Sequence, residues 1–402
     1  MKAKGTNIQE NKLRNKLLVF KLICTNRNIS RKEIADETGL TRMAVGNLVS
    51  ELIADGLVIE DNSDPSEASN QYGRRPISLK LSSSSPCVCG ILIKRGVFHF
   101  IVGTLNGQVE KSISYEYDSL KNQTELLDLL YQGYLEVTED CPRNIVAISI
   151  ASIGPLNTEQ GIILRPPFFY GIHDVHVTEF FEEKTGLPAF LINDASAGAL
   201  AEILFGSMKN TENFLYLHLM NGIGTGIVIN GRLYDGDTGQ SGEIGHMSIN
   251  FAGPRCDCGN KGCLELYANV DNLREYINER KLIYPSSRIS RIPAPTWYDI
   301  IAEANDQEPL ALMALDNYCG YLSVALISSL KLLNLSTIIL GYENNGKAYT
   351  LETILQGKLS DPVRCNSDAE INIIHSHFGA DAPLIGSLAL VANKVFRGEF
   401  TI

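Results

Sequence analysis

From residue 87 onward, short β-prone apolar runs alternate with helix-periodic stretches for about 300 residues, and this alternation limits the possible folds more than any single motif. The run "VCGILIKRGVFHFIVGTLNGQV" reads as strand, turn and strand. A helix is expected around 123–137, and "NIVAISIASIG" is a buried strand. A helix around 175–186 then leads to the strand "PAFLIND" and the helix "ASAGALAEILFG". A second series opens at residue 213 with "NFLYLHLMNGIGTGIVINGRLY". Such a chain builds an α/β architecture on a substantial sheet, and the restart at 213 fits two related halves. At 402 residues it exceeds one ordinary core. With 44% hydrophobic and 20% charged residues, the composition is that of a globular protein. No window is expected to reach the roughly twenty apolar residues that span a bilayer, so no membrane partner is expected. The first residues lack the apolar core of a signal peptide, and the expected location is cytoplasmic.

The net charge of −11 argues against a surface that binds nucleic acid everywhere, but the charge is segregated. Residues 1–50 hold 10 Lys+Arg against 4 Asp+Glu. This basic segment has a helical pattern. Residues 7–26 place Ile8, Leu13, Leu17, Phe20, Leu22 and Ile23 near one face. In "SRKEIADETGL", Ser30 and Glu33 have the spacing of a capping box, Ile34 and Ala35 point inward, and Gly39 ends the helix. Thr41 caps a third helix, "TRMAVGNLVSELIADG", with Val45, Leu48, Leu52 and Ile53 inward and Gly56 as its stop. The three make a helix-turn-helix, and "LVIEDNSDPSEASNQYGRRPISLKL" adds a strand, a polar tip and a strand, which is a wing. Arg42, Met43, Ala44 and Asn47 fall on the outer face of the recognition helix, where Arg can read guanine and Asn adenine in a major groove. Arg74 and Arg75 sit at the wing, suited to a minor groove or to phosphate. A plain solvated surface is the alternative for each. "SSSSP", Ser82 to Pro86, reads as a linker to a second module.

Nine cysteines, an odd number, are expected as thiols in a reducing compartment. Three of them fall in "GEIGHMSINFAGPRCDCGNKGCLEL" together with a histidine. His246, Cys256, Cys258 and Cys263 offer one imidazole and three thiolates, the donor set of a closed, structural tetrahedral Zn²⁺ site. The alternative is three unligated thiols beside an unrelated histidine. Asn193 and Asp194 end a strand at the carboxyl edge where α/β sheets place ligands. Glu243 and Glu265 flank the cysteine cluster, and a metal-tethered loop would turn both towards one pocket. Carboxylates and an amide suit the hydroxyls of a sugar. Read singly, Asp194 is equally a helix N-cap and each glutamate a solvated loop residue. "NGIGTGIVINGRLYDG" is glycine-rich enough to approach a phosphate or a sugar closely, but it lacks a Walker lysine, and a hairpin turning at Asn230 and Gly231 explains much of it.

Together these segments resemble the ROK family, and within it the transcriptional repressors. The likeness covers nearly the whole chain through "SRKEIADETGLTRMAVGNLVSELIADGLV", "GRRPISLKL", "LINDASAGALAEILFG", "GIGTGIVINGRLYDGDTGQSGEIGHMSI", "CDCGNKGCLELYA" and "FGADAPLIGSLAL". The resemblance implies a winged helix-turn-helix at 1–81, a linker at 82–86 and an actin-like, sugar-kinase-type duplicated α/β domain at 87–402. The first lobe of that domain spans about 87–195 plus a C-terminal helix at about 383–402. The second spans about 196–382, with a zinc loop at 246–263. It implies sugar contacts at Asn193, Asp194, Glu243, His246 and Glu265, with His246 also on the metal, and as partners operator DNA, a sugar or sugar phosphate effector and a second or further copies in a homodimer or homotetramer. The chain departs from the kinases of the family. Leu92 to Arg95 stand where those enzymes carry a Gly-rich phosphate loop, and "LGYENNG" replaces a Gly-Gly pattern on the adenosine side. No catalytic residue and no kinase activity are therefore expected, although a regulator that also phosphorylates its sugar, or one controlled by a protein partner, remains open. "RPPFFYGIHDV" carries Ile172 where relatives commonly have an aromatic residue.

Overall fold

The computed structural model describes residues 7–26, 28–61, 77–207, 211–220, 222–360 and 370–402. Helix α1 (Ile8–Thr25) opens with a reciprocal capping box between Asn7 and Glu10. It buries Val19, Phe20, Ile23 and Cys24, whereas Leu13, expected inward, is 54% exposed. The buried residues lie in the C-terminal half of α1, where the ring of Phe20 meets that of Phe396 edge-on at 5.8 Å. After β1 (Ile29–Ser30), α2 (Arg31–Thr38) uses the expected Ser30–Glu33 box and ends at Gly39 with φ +70°. Thr41 caps α3 (Arg42–Ala54), which buries Val45, Leu48, Val49 and Leu52. Val49 is buried and Ile53 only half-buried, because on the helical wheel Val49 lies between Val45 and Ile53 and so nearer the centre of the buried face. Strands β2 (Val58–Asp61) and β3 (Ser78–Leu81) pair antiparallel in a sheet of order β1-β3-β2, the stem of the wing. The tip with Arg74 and Arg75 lies outside the described residues.

The serine run read as a linker is held in place by hydrogen bonds. Ser82 N–H donates to Leu57 O at 2.9 Å, Ser84 Oγ to Gly56 O at 3.3 Å, and Arg143 to the carbonyls of Ser82 and Ser85 at 3.4 and 3.3 Å. Short hydroxyl side chains bond to nearby backbone as readily as to water, so a polar stretch can be packed.

Beyond it come β4 (Cys87–Lys94), β5 (Val97–Thr104), β6 (Val109–Glu116), α4 (Gln123–Thr138), β7 (Ile145–Ser152), the short β8 (Leu156–Asn157), β9 (Ile162–Ile163) and β10 (Val175–His176), then α5 (Val177–Thr185), β11 (Ala189–Asn193) and α6 (Asp194–Leu204). The second series holds β12 (Phe214–Leu219), β13 (Ile223–Ile229), β14 (Arg232–Leu233), α7 (Val270–Arg280), α8 (Trp297–Asn305), α9 (Pro309–Leu333), β15 (Thr337–Gly341), α10 (Thr350–Leu359), β16 (Asn372–His375) and α11 (Ala382–Phe396). The two five-stranded sheets have orders β11-β7-β4-β5-β6 and β14-β13-β12-β15-β16. In each, the first three strands run as a meander from the centre to one edge, and the fourth and fifth lie on the other side of the first. The same order twice is the structural form of the two related halves. Contacts divide the chain into one unit of Met1–Ile150, His176–Leu191 and Ser387–Ile402, and another of Ala151–Val175 and Ile192–Gly386.

Helix α9 corrects one expectation from the sequence. It has 25 residues and a window of mean hydropathy 1.5, enough by length and composition to cross a membrane. Its apolar side is spent on the core of the second unit, where Leu315, Leu322, Leu326 and Leu330 are buried. A helix surrounded by α7, α8, α10 and the sheet needs apolar residues on most of its circumference.

Candidate functional site

Asn193 ends β11 and caps α6, its Oδ1 accepting from the N–H of Ala195 at 3.0 Å and of Ser196 at 3.3 Å. Capping thus falls to Asn193, and Asp194 is the first residue of the helix. Helix α6 lies close on β13 because that strand is glycine there. A Cβ on Gly226 would stand 2.4 Å from Ala199 Cβ and 2.7 Å from Ala195 O, and one on Gly224 would stand 2.9 Å from Ala195 Cβ and 3.8 Å from Asp194 Oδ1. The glycines of "GIGTG" therefore serve helix-on-strand packing. The hairpin continues through Asn230 and Gly231, both with positive φ (53° and 66°), to pair Ile229 with Arg232.

Gly242 fixes where Glu243 begins. Its φ is +84°, and a Cβ would lie 1.9 Å from Thr225 O, so only glycine fits. The 3₁₀ turn Ile244–His246 then aims the histidine ring. Across from it, a Cβ on Gly154 would stand 3.4 Å from Asn193 Nδ2 and 3.6 Å from Glu243 Oε1, so an amide and a carboxylate border the same small space over a bare glycine. Gly154 carried no signal in the sequence, since nothing local marks a glycine as the floor of a site. The Glu243 side chain is 45% exposed and reachable, yet the protein around it desolvates the carboxyl enough to raise its pKa.

His246 faces two ways. Its Nε2 is 4.0 Å from Glu243 Oε2, and its Nδ1 is 3.1 Å from Glu265 Oε1 and 3.6 Å from Cys256 Sγ. Cys258 Sγ and Cys263 Sγ are 3.6 Å apart, and the four donor atoms all lie within 4.8 Å of one another. Bonds of about 2.3 Å to sulfur and about 2.0 Å to nitrogen give tetrahedral edges of roughly 3.8 Å (S to S) and roughly 3.5 Å (N to S). The N-to-S and S-to-S separations of 3.6 Å match those edges, so the cluster fits a metal ion. Asn260 Nδ2, another residue without a sequence signal, donates to His246 O at 3.2 Å and helps to hold the loop closed. With no metal bound, the Glu265 carboxylate raises the His246 pKa to about 9. Burial pushes the thiols of Cys256 and Cys263 up. Cys258 lies below the ordinary thiol value, because hydrogen bonds from the Asn260 amide and the neighbouring thiols outweigh its burial. Glu265 Oε1 is also 3.1 Å from Cys256 Sγ, so this carboxylate sits on the cysteine side of the ring, while Glu243 sits on the Asn193 side.

In α3, Arg42, Met43 and Asn47 are exposed and Ala44 is half-buried, which leaves the outer face expected of a reading helix uncovered by any described residue. Ile172 is buried, while Phe168 and Tyr170 of the same loop are 80% and 42% exposed. Leu92 and Ile93 are strand core, and Lys94 pairs with Val97 across a two-residue turn that carries Arg95. In "LGYENNG", the buried Tyr342 hydroxyl donates to Glu352 Oε2 at 2.6 Å, and Asn305 Nδ2 donates to Asn344 Oδ1 and Asn345 Oδ1, each at 2.9 Å.

Residues 12–59 match the winged helix-turn-helix DNA-binding family, and residues 89–394 match the ROK family. The chain belongs to the ROK family. Its fold is the family's actin-like, sugar-kinase α/β fold preceded by a winged helix-turn-helix. It is 29% identical over 385 residues to the xylose repressor of Bacillus subtilis (strain 168), covering 94% of each chain. It is 27% identical over 304 residues to the glucokinase of Thermotoga maritima, covering 74% of this chain and 95% of that one. Among solved structures, a ROK family transcriptional regulator described as a homolog of the Escherichia coli MLC protein superposes with a TM-score of 0.76 at 28% identity, over 96% of this chain and 97% of that one. The family thus holds both regulators and kinases, and this ROK chain is similar to the regulators over a larger share of its length.

Proposed function

We propose that this ROK protein is a sugar-responsive transcriptional repressor of genes for carbohydrate uptake or breakdown, with no kinase activity. The observation that carries the reading is His246. Nδ1 lies 3.6 Å from Cys256 Sγ, in the cluster with Cys258 and Cys263, and Nε2 lies towards Glu243, which borders a space shared with Asn193. Zn²⁺ held by His246, Cys256, Cys258 and Cys263 would fix the ring's tautomer and direction, and bound there it supplies a structural tie rather than a reactive position. Asn193, Asp194, Glu243, the other face of His246 and Glu265 would then receive the hydroxyls of a sugar. Glu265 would act from beside the metal. Since a repressor similar to this chain over nearly its whole length is named for xylose, xylose is the first effector to test.

Arg42, Met43, Ala44 and Asn47 would read operator bases, with Arg74 and Arg75 on the wing. One reading helix covers a short half-site, so the working species is a homodimer or homotetramer on paired half-sites, in the cytoplasm where the operator is. The module boundaries 1–81, 82–86 and 87–402 belong to the same proposal. Against phosphoryl transfer stand the tight two-residue turn at Arg95 in place of a Gly-rich phosphate loop and the polar network at 342–346, whose asparagine side chains are spent on one another and on the local backbone.

The test selects genomic fragments that the full-length protein retains, then titrates them and scrambled DNA at several salt concentrations. The reading requires a preference for selected fragments that a sugar alters. Equal affinity for both DNAs at every salt concentration refutes it, and sugar phosphate formed with ATP and magnesium, and lost in Asp194→Asn, replaces it with a bifunctional kinase.

A further inference from the structure

Among the described residues, left-handed backbone outside glycine falls on Asn, Asp and Gln with two exceptions, Phe168 (φ +55°) and Tyr170 (φ +54°). Bulky aromatic residues rarely adopt this conformation. Where they do, the surrounding structure holds the strain in place, and such strain clusters at functional sites. Ile172 N–H donates to Phe169 O at 2.9 Å around Tyr170 and Gly171, whose φ values of +54° and +71° are those of a type I′ turn. That turn favours Asn-Gly at its centre, so tyrosine is a costly choice there. What the conformation achieves is display. Phe169 and Ile172 are buried and anchor the loop, while Phe168 and Tyr170 are 80% and 42% exposed.

The loop also springs from the floor of the candidate site. Leu164 N–H donates at 3.0 Å to the carbonyl of Pro155, the residue after Gly154, and Asp174 N–H donates at 2.6 Å to Leu164 O. Both ends of the loop are therefore tied beside that glycine. The space over Gly154 is open on one side, since the Glu243 side chain that borders it is 45% exposed. A sugar held there by Asn193 and Glu243 is not enclosed, which leaves room for a substituent to continue outward. A sugar ring carries an apolar face of C–H bonds between its hydroxyls, and an exposed aromatic ring with a polar tip is a surface that such a face covers well. We propose that residues 165–174 form a second sugar subsite, and that the effector is a short oligosaccharide whose first ring lies over Gly154 and whose next ring packs on Tyr170 and Phe168. The inference rests on the reading of the first position as a sugar site. It divides the work, with the polar groups around Gly154 selecting the first sugar by its hydroxyls and the aromatic pair selecting the length of the chain.

The test titrates xylose, glucose and their β-1,4-linked dimers xylobiose and cellobiose into the full-length protein by calorimetry, for wild type, Phe168→Ala and Tyr170→Asn. One dimer should bind wild type about tenfold or more tighter than its own monosaccharide. Each variant should lose most of that gain and keep the wild-type affinity for the monosaccharide. Tyr170→Asn supplies the Asn-Gly pair that the turn favours, so it should also raise Tm by about 2 °C or more while it loses the gain. That opposition of stability and binding is what a loop strained for display requires. A monosaccharide that binds while neither dimer binds tighter overturns the subsite and leaves the sugar sensor standing. Variants that weaken monosaccharide and dimer alike, or a Tyr170→Asn protein that melts below wild type, overturn it as well, because the rings would then serve the first position or the fold. If none of the four sugars binds, the sugar reading itself fails, and the subsite falls with it.

Discussion

Cys258 offers the cleanest measure of what the metal contributes. Its side chain is exposed, whereas Cys263 is fully buried, so Cys258→Ser removes a ligand with almost no loss of core packing. Without a metal, an exposed sulfur-to-oxygen exchange should stay within about 0.5 kcal/mol. With one, the native state of the wild type gains about 4 kcal/mol at a free-zinc concentration of about a thousand times Kd, and the variant gains little of it. For a unit of this size each kcal/mol moves Tm by roughly 2–4 °C, so the variant should melt roughly 8–16 °C lower in zinc-buffered solution. Elemental analysis should find about one zinc per wild-type chain and a clear deficit in the variant. A chelator should lower the wild type to the variant's Tm and leave the variant unmoved. Equal zinc content in both proteins, or a Tm difference that survives chelation, would show that the cluster is held together by something other than a metal.

Gly226→Ala should cost about 1–3 kcal/mol, because its Cβ meets the backbone of α6, and should weaken sugar binding through the displaced N-terminus of that helix; calorimetry with unaltered affinity would separate α6 from the site. Arg42→Ala and Asn47→Ala should relax preference at particular operator positions, while Arg74→Ala with Arg75→Ala should lower affinity for all DNA and flatten its salt dependence, as footprinting across a salt series would reveal. Glu202 is buried on α6, accepting from Ser376 Oγ at 2.6 Å and His377 N–H at 2.9 Å, and burial raises its pKa. A carboxyl whose folded pKa exceeds its unfolded value favours folding while protonated and loses that advantage as pH rises above about 4.5. Glu202→Gln should therefore gain in Tm over wild type as pH is raised from 5 to 8, and a gap that shrinks over that range would contradict the assignment.

Much of this was legible in the residues because the signals were local. Ser30, Glu33, Gly39 and Thr41 declare helix ends by chemistry that acts within four residues, and the structure uses each as expected. The cluster of His246 with three cysteines was legible for the same reason, its four donors lying within eighteen positions of one another. What the sequence hid was long-range. Gly154 matters only because Asn193 and Glu243 come to it from elsewhere, and Asn260 only because the loop closes on His246 O. Leu13 looked inward by periodicity, but whether a face is buried depends on what packs against it. The bonds that hold the serine run were also hidden, since a polar composition does not distinguish a solvated linker from one tied down by Arg143.

If one site on the second unit senses a sugar and governs the helix that reads DNA, the two activities must separate in a single variant. The most direct test follows operator binding by fluorescence anisotropy as sugar is added, for wild type and Asp194→Ala in parallel. Wild-type operator affinity should shift with sugar, while the variant should bind operator as well as wild type and stay blind to sugar until concentrations about tenfold higher or more, the cost of losing a buried hydrogen bond to a charged group. A variant that answers sugar at the wild-type concentration, or one that has lost operator binding without any sugar present, contradicts it.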